Sequence, residues 1–375
     1  MSVVIIETGR PLENARGGGS INSMLVLARY YSNLGIDVHI IFRHYTAIDA
    51  DQLPEGVNID YLNGPRPKKI NIPYGKPKNK IFLTADLKAF IATFLRLKET
   101  FRIFHLLKPK RNLIAVHLNN RLLPNTHLIW LKILLGVRLY QHQRQYDTYL
   151  PYPKWIYNIF IDRVICVSKD IRNHTESLGI TKTEVLYNSS LRHQGESTYD
   201  THIDTYNFIW IGRIVAWKGL HELAVVLEGM NCKLQIFGSA DETSAYARET
   251  FKLLNEKGVH YEYHGYVPST QIFSRHYRNT FLIHSSVKPE PFGRVIIEAM
   301  SIGMIPVSFG LGGSRELINH EVNGLIIAPQ TPLRTYLDTC SLHIPKMGIK
   351  AKDKFDSTYS SDVHFTNLKE ILCVE

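Results

Sequence analysis

The sequence predicts an α/β protein folded as two domains, and three observations carry that expectation. Short apolar stretches that read as strands alternate with helical stretches in both halves of the chain. At 375 residues the chain is long enough for two units that each bury a core. Residues 190–205 are polar, lack apolar periodicity and read as a linker. The expected division is residues 1–190, residues 206–355, and a weakly patterned tail, 356–375.

The first half opens with Val3–Ile6, a short buried strand. Gly17, Gly18 and Gly19 end the loop that follows, and Ser20 is placed to cap a helix from Ile21 to about Leu34. Strand, glycine loop and helix start together suit an anion, although a plain structural loop fits the same residues. Asp37–Phe42 is the next strand, and residues 63–80 form a Pro- and Lys-rich loop. Leu87, Phe90, Ile91, Phe94, Leu95, Phe101, Phe104 and Leu107 recur near helical spacing and predict an amphipathic, core-facing helix or pair. Leu113–His117 and Arg138–Gln141 read as strands, the second leading into His142. Asp162–Ser168 reads as another strand, with Ser168 capping the helix after it.

The second half starts a new strand at Tyr206–Ile211, followed by Gly212-Arg213 and Trp217-Lys218-Gly219. Cations beside glycine turns can serve an anion, Arg as a bidentate donor and Lys as a point charge, although at this spacing they are more often plain surface. Leu234–Phe237 and Phe281–His284 are further strands. The most informative stretch is Lys288-Pro-Glu290-Pro-Phe292-Gly293-Arg294, which feeds a helix carrying Glu298 and stopping at Gly303. Pro291 keeps Glu290 out of the helical region. One carboxylate therefore lies on the approach loop and the other just inside the helix. Both can meet a ligand over the helix start, where free amides favour phosphate.

Composition narrows the function classes. The chain is 44% hydrophobic and 21% charged, as soluble globular proteins are. Its four cysteines form no Cys-x-x-Cys pair, so neither a zinc site nor a disulfide framework is expected. Met1–Ile6 is cut short by Glu7 and does not read as a signal peptide. The run from His127 to Tyr140 is too short to span a bilayer. A cytoplasmic setting fits. The formal net charge is +10, and residues 66–111 hold thirteen Lys and Arg against Asp86 and Glu99, which accounts for all of it. Such a segment suggests an anionic partner, whether membrane lipid, a pyrophosphate lipid or nucleic acid; a solvated face explains it equally well.

Glu290 and Glu298, with seven residues between them, resemble the Glu-x7-Glu signature of retaining glycosyltransferases of the GT-B fold. Gly312-Gly-Ser-Arg-Glu-Leu-Ile318 and Asn323-Gly-Leu-Ile-Ile327 also resemble glycosyltransferase family 4. The resemblance implies two Rossmann-like domains facing across a cleft, with the tail crossing back onto the first. It implies transfer of a sugar, with retention, from a nucleotide-sugar donor to a glycan or lipid-linked acceptor, in polysaccharide or glycoconjugate assembly. Catalytic roles fall by this resemblance on His142 and Glu290, with His117 at an earlier, less critical place. Donor binding falls on Gly18, Gly19, Arg213, Lys218, Phe292, Gly293, Arg294 and Glu298. Arg213 and Lys218 would hold the pyrophosphate, Glu290 the sugar hydroxyls and Glu298 the ribose. No metal or other cofactor is expected, nor a nucleic-acid partner. An anionic membrane surface, contacted peripherally on its cytoplasmic side, is the further partner considered. Two other classes fit parts of the chain. One is a GT-B nucleotide-sugar epimerase, which would need no acceptor. The other is a non-catalytic module using the basic segment on membrane or nucleic acid.

Overall fold

The computed structural model describes residues 1–7, 19–43, 53–62, 96–110, 112–240 and 244–372. Gly17, Gly18 and the basic loop at 63–80 lie outside these residues, as does the helical stretch at 87–95. The chain divides into two compact units, Met1–Leu186 and Tyr187–Glu375.

Unit 1 runs β1 (Ser2–Glu7), α1 (Gly19–Asn33), β2 (Asp37–Phe42), β3 (Val57–Tyr61), α2 (Leu97–Leu107) and β4 (Leu113–Asn119). Next come α3 (Leu122–Asn125), a 3-10 turn (Thr126–Trp130), α4 (Leu131–Leu135) and β5 (Arg138–Gln143). The unit ends with α5 (Lys154–Phe160), β6 (Arg163–Cys166), α6 (Lys169–Ser177) and β7 (Thr183–Val185). The seven strands pair in the order β3-β2-β1-β4-β5-β6-β7, every pair parallel. β1 is buried along its whole length, which is why it reads as a continuous apolar run rather than an alternating one. Ser168 caps α6 as expected, its hydroxyl accepting from the Ile171 amide at 3.1 Å.

In unit 2, β8 (Glu196–Thr198) and β9 (Tyr206–Ile211) precede 3-10 turns at Ala216–Lys218 and Leu220–Glu222. Then follow α7 (Leu223–Val226), β10 (Cys232–Phe237), α8 (Ala245–Glu256), β11 (Tyr261–Tyr263), α9 (Ser269–Ile272) and β12 (His276–Arg278). β13 (Thr280–His284), α10 (Arg294–Met300), β14 (Ile305–Ser308) and β15 (Leu325–Ile326) complete the main sheet. α11 (Leu333–Cys340), α12 (Ile344–Lys354) and α13 (Ser361–Leu372) close the chain. The main sheet is parallel, in the order β11-β10-β9-β13-β14-β15. Its core gathers Phe208, Trp210, Leu234, Ile236, Phe281 and Ile283 from the central strands.

Several expectations shift in detail. The stretch 190–205 is not structureless: β8 lies within it and pairs with β12. Tyr199 donates to the Thr280 carbonyl and accepts from the Ile305 amide at 2.8 Å. Three residues are too few to show a period, so composition alone hid this strand. The helix after Gly293 ends at Met300 rather than Gly303, because Ser301 and Ile302 continue only as turn. At the chain end, the Ser190 amide donates to Tyr359 O at 3.2 Å, Ser361 donates to Ser190 O at 3.2 Å, and His364 Nδ1 lies 2.8 Å from Tyr187 O. All of these contacts lie inside unit 2.

Candidate functional site

In an open parallel sheet, ligands bind beyond the strand C-termini where the winding reverses. In unit 2 the reversal falls between β9 and β13. β9 ends at Ile211 and runs into Gly212-Arg213; β13 ends at His284 and runs into Ser285, Ser286 and Glu290. The topology thus brings together residues some seventy positions apart.

Glu290 is the hub. Lys218 Nζ donates to its Oε1 at 2.7 Å and to its Oε2 at 2.9 Å. His284 Nε2 lies 2.7 Å from Oε2, and the Ser286 hydroxyl donates to the same oxygen at 2.8 Å. The ring of His284 is anchored behind by Ser308 Oγ, 3.1 Å from Nδ1. Burial alone would push the Glu290 carboxyl up, but His284 and Lys218 outweigh it and hold the group far below the usual carboxylate range. The Glu290 amide donates to Leu311 O at 3.1 Å, which ties the loop to the segment after β14.

Lys218 is placed by its own turn. The Trp210 indole donates to Ser285 Oγ at 3.0 Å, and that hydroxyl donates on to Lys218 O at 3.1 Å. The Val287 amide donates to Trp217 O at 3.0 Å, and the Lys218 ammonium sits 4.4 Å from the centre of the Trp217 ring. Gly219 has φ +68°, and a Cβ there would stand 1.9 Å from Ser285 O. Only glycine allows that approach of the two backbones.

Glu298 sits on α10, 8% exposed, with Arg294 Nη2 3.5 Å from Oε1. Burial pushes its carboxyl up, against the pull of Arg294. Gly293 precedes α10 with φ +102°, a backbone conformation open to glycine. The Phe292 ring is buried, 6.0 Å from the Tyr187 ring and 6.1 Å from that of Tyr359. Its side chain is therefore a packing element, and only its backbone remains for a ligand. Arg213 is exposed just past β9. The structure thus joins Lys218 with Glu290, and Arg294 with Glu298, while Arg213 stands apart in solvent.

His142 and His117 belong to unit 1. The expectation put His142 just past its strand; it lies inside β5, one residue before the end. The structure couples the two imidazoles. His117 Nδ1 lies 2.9 Å from His142 Nε2, and Tyr31 OH lies 2.8 Å from His117 Nε2. Burial pushes the His117 imidazole down to about 3, so it is neutral at ordinary pH. A neutral ring with both nitrogens engaged donates from one and accepts at the other. Its hydrogen bond to His142 thereby links the tautomers of the two rings. Gly19 is the first residue of α1.

His284, Ser286 and Tyr31 were not singled out from the sequence. His284-Ser285-Ser286, six residues before Glu290, carried a usable signal: hydrogen-bonding side chains at a strand end beside a carboxylate. Tyr31 carried none, since it reads as one more apolar residue of an amphipathic helix. Among the described residues no group of three or more His, Cys, Asp and Glu is placed to hold a metal ion.

The architecture of both units is that of the GT-B fold. It is similar over 100% of this chain to a glycosyltransferase from Rickettsia africae (TM-score 0.73, 17% identity, 99% of that chain). Anabaena HepE, in complex with UDP and glucose, is similar over the same span (TM-score 0.70, 17% identity, 99% of that chain). A sucrose-phosphate synthase from Thermosynechococcus elongatus matches 99% of this chain and 98% of its own (TM-score 0.71, 14% identity). At such identities the likeness establishes the fold.

Family matches go further. Residues 17–189 match the model of Glycosyltransferase Family 4, and residues 202–334 that of Glycosyl transferases group 1. Two uncharacterized glycosyltransferases of Methanocaldococcus jannaschii are similar in sequence. MJ1607 is 29% identical over 191 residues, 45% of this chain and 48% of that protein. MJ1178 is 27% identical over 173 residues, 46% of each. The chain spans about half the length of the curated relatives it matches. Residues of both units thus match glycosyltransferase family models, and both units have the architecture of the GT-B fold.

Proposed function

We propose that the protein moves a sugar from a nucleotide-sugar to a glycan or lipid-linked acceptor with retention of the anomeric configuration, as a step in polysaccharide or glycoconjugate assembly. The observation that carries this reading is Glu290, held ionised at the switch point of the second sheet by Lys218 and His284. UDP and UDP-glucose accompany the similar Anabaena protein, which supports a nucleoside-diphosphate donor here. In the reaction the bond from the anomeric carbon to the diphosphate oxygen breaks, and the diphosphate leaves with the electron pair. The acceptor hydroxyl oxygen bonds the same carbon, on the same face, and its proton passes to the departing phosphate.

Arg213 and Lys218 are assigned to the diphosphate. An ammonium has three N–H donors. Two serve Glu290, and one is left for a phosphate oxygen. These two cations stabilise the charge developing on the leaving group, so the reading needs no metal. Glu290 accepts from donor-sugar hydroxyls and Glu298 from the ribose, with backbone at Phe292 and Gly293 and the Arg294 side chain bordering the donor. By the family resemblance, His142 is assigned to the transfer step and Gly18 and Gly19 to the donor. Contact with an anionic membrane carrying the acceptor completes this reading.

The test is turnover with a panel of nucleotide-sugars and glycan or lipid-linked acceptors, followed by NMR of the product. Release of nucleoside diphosphate with an unchanged anomeric configuration supports the reading. An inverted product removes retention. Sugar isomerisation without any acceptor replaces the transferase with an epimerase.

A further inference from the structure

Right-handed crossovers put helices that wind in the same direction on the same face of a parallel sheet. In unit 1, α2, α4 and α5 all precede strands added towards β7, so they share a face. Side chains tie them together. Thr100 of α2 donates to His127 O at 2.7 Å, Thr126 Oγ1 lies 3.1 Å from the Tyr157 hydroxyl of α5, and the Trp130 and Phe160 rings are 5.3 Å apart.

The outside of this layer is unusual in two ways. Trp155, Ile159 and Ile133 are each 58% exposed and Phe101 51%, with Leu106 and Leu134 beside them in the same three helices. Trp155 and Ile159, four residues apart, stand on one face of α5. Unit 1 exposes few other large apolar side chains among its described residues. The charges these three helices expose are cations, and Asp162 just past α5 is paired with Lys132. Lys98, Phe101 and Arg102 share the exposed face of α2, Lys108 follows it, and exposed Lys154 adjoins Trp155. The one acid in the three helices, Glu99, turns inward to Arg43 at 2.8 Å and His127 at 3.6 Å. Clustered apolar side chains mark a contact surface. Aromatic and aliphatic residues among cations suit the headgroup boundary of an anionic bilayer, where indoles sit and cations meet phosphate.

We propose that α2, α4 and α5 form a docking face on anionic membrane, with Trp155, Ile159 and Ile133 inserted among the headgroups and Lys98, Arg102, Lys108 and Lys154 on the lipid phosphates. This deepens the membrane contact read above, and it gives that contact an apolar part that the basic segment alone does not supply. No described helix is long and apolar enough to cross a membrane, so the contact is peripheral.

Co-sedimentation of the full chain with phosphatidylglycerol vesicles, and with neutral phosphatidylcholine vesicles, tests this without any need for turnover. The intact protein binds the anionic vesicles in low salt, and binding falls roughly tenfold or more in Trp155→Ser/Ile159→Ser. Leu342→Ser, at another exposed apolar position, leaves binding intact. Circular dichroism and an unchanged melting temperature confirm that both variants are folded. Lack of binding to anionic vesicles overturns the proposal. Binding that persists in Trp155→Ser/Ile159→Ser overturns it in favour of a purely electrostatic contact. Dimerisation in solution that these substitutions abolish assigns the face to a second copy of the chain.

Discussion

The two units place histidine and its partners in opposite electrostatic settings. In unit 1, Tyr31, His117 and His142 form a buried chain in which His117 is kept neutral by desolvation. In unit 2, His284 and Lys218 converge on one carboxylate and keep it ionised. The first arrangement engages both nitrogens of the neutral His117 ring and so fixes its orientation and tautomer. The second concentrates charge beside the turn that carries Lys218. The difference teaches that burial alone does not decide ionisation. Glu290 and His117 are both shielded from water, and the presence of opposite-charge partners separates their fates.

The comparison breaks first at Glu290. Glu290→Ala strips Lys218 and His284 of their shared partner, and removing one member of a buried pair costs about 3–5 kcal/mol. We expect a stability loss near the lower end, since the Lys218 and Glu290 side chains keep 16% exposure. Urea denaturation measures it, with turnover falling alongside. Gly219→Ala tests the turn that aims Lys218. The added Cβ meets Ser285 O in a left-handed conformation, at a cost of about 2–4 kcal/mol. A melting temperature unchanged in this variant would show that the turn does not position Lys218.

The neutral chain of unit 1 answers to pH. His117 titrates at about 3 in the folded protein against an ordinary value near 6.5. The unfolded chain therefore binds a proton first as pH falls. The contribution is present above pH 6.5 and is lost as pH drops towards 3, with a slope of about 1.4 kcal/mol per pH unit. Urea unfolding at pH 7, 6 and 5 should show that slope, and His117→Asn should flatten it. Equal slopes in both proteins would mean that His117 is not the buried neutral group described here.

The smallest effect is expected at Arg213. It is exposed, so Arg213→Ala should leave the melting temperature unchanged. It should weaken nucleoside-diphosphate binding by about 1.5–3 kcal/mol, the range of a charge-assisted bond. Calorimetry separates this from a variant that is merely unfolded.

Much of this was legible in the sequence, for a local reason. The alternation of strands and helices in both halves was readable because parallel strands such as β1 and β9 are buried apolar runs bounded by turns. Glu290, Gly293 and Glu298 lie within nine residues, where Pro291 and Gly293 constrain the backbone openly. Long-range pairing was not legible. Lys218 lies 72 positions before Glu290, and Tyr31 lies 86 before His117. No local pattern announces that these side chains meet, because sheet order brings them together. The Lys218–Glu290 ion pair, the anchoring of Glu290 by His284 and the link between His117 and His142 all depend on that order. The ring of Phe292 marks the reverse case. Its place beside the Glu pair pointed to the donor, whereas packing against Tyr187 and Tyr359 turned the side chain into the core.

The central claim is that unit 2 holds the donor, with Glu298 on the ribose and Glu290 on the sugar. Calorimetric titration of UDP, with ADP and GDP in parallel, into Glu298→Gln and Glu290→Gln tests it most directly. A free nucleoside diphosphate has the ribose but not the sugar. The account predicts that Glu298→Gln weakens binding about tenfold, one lost hydrogen bond to a charged group, while Glu290→Gln spares it. Weakening by Glu290→Gln alone, or failure of the intact protein to bind any of the three nucleotides, would contradict it.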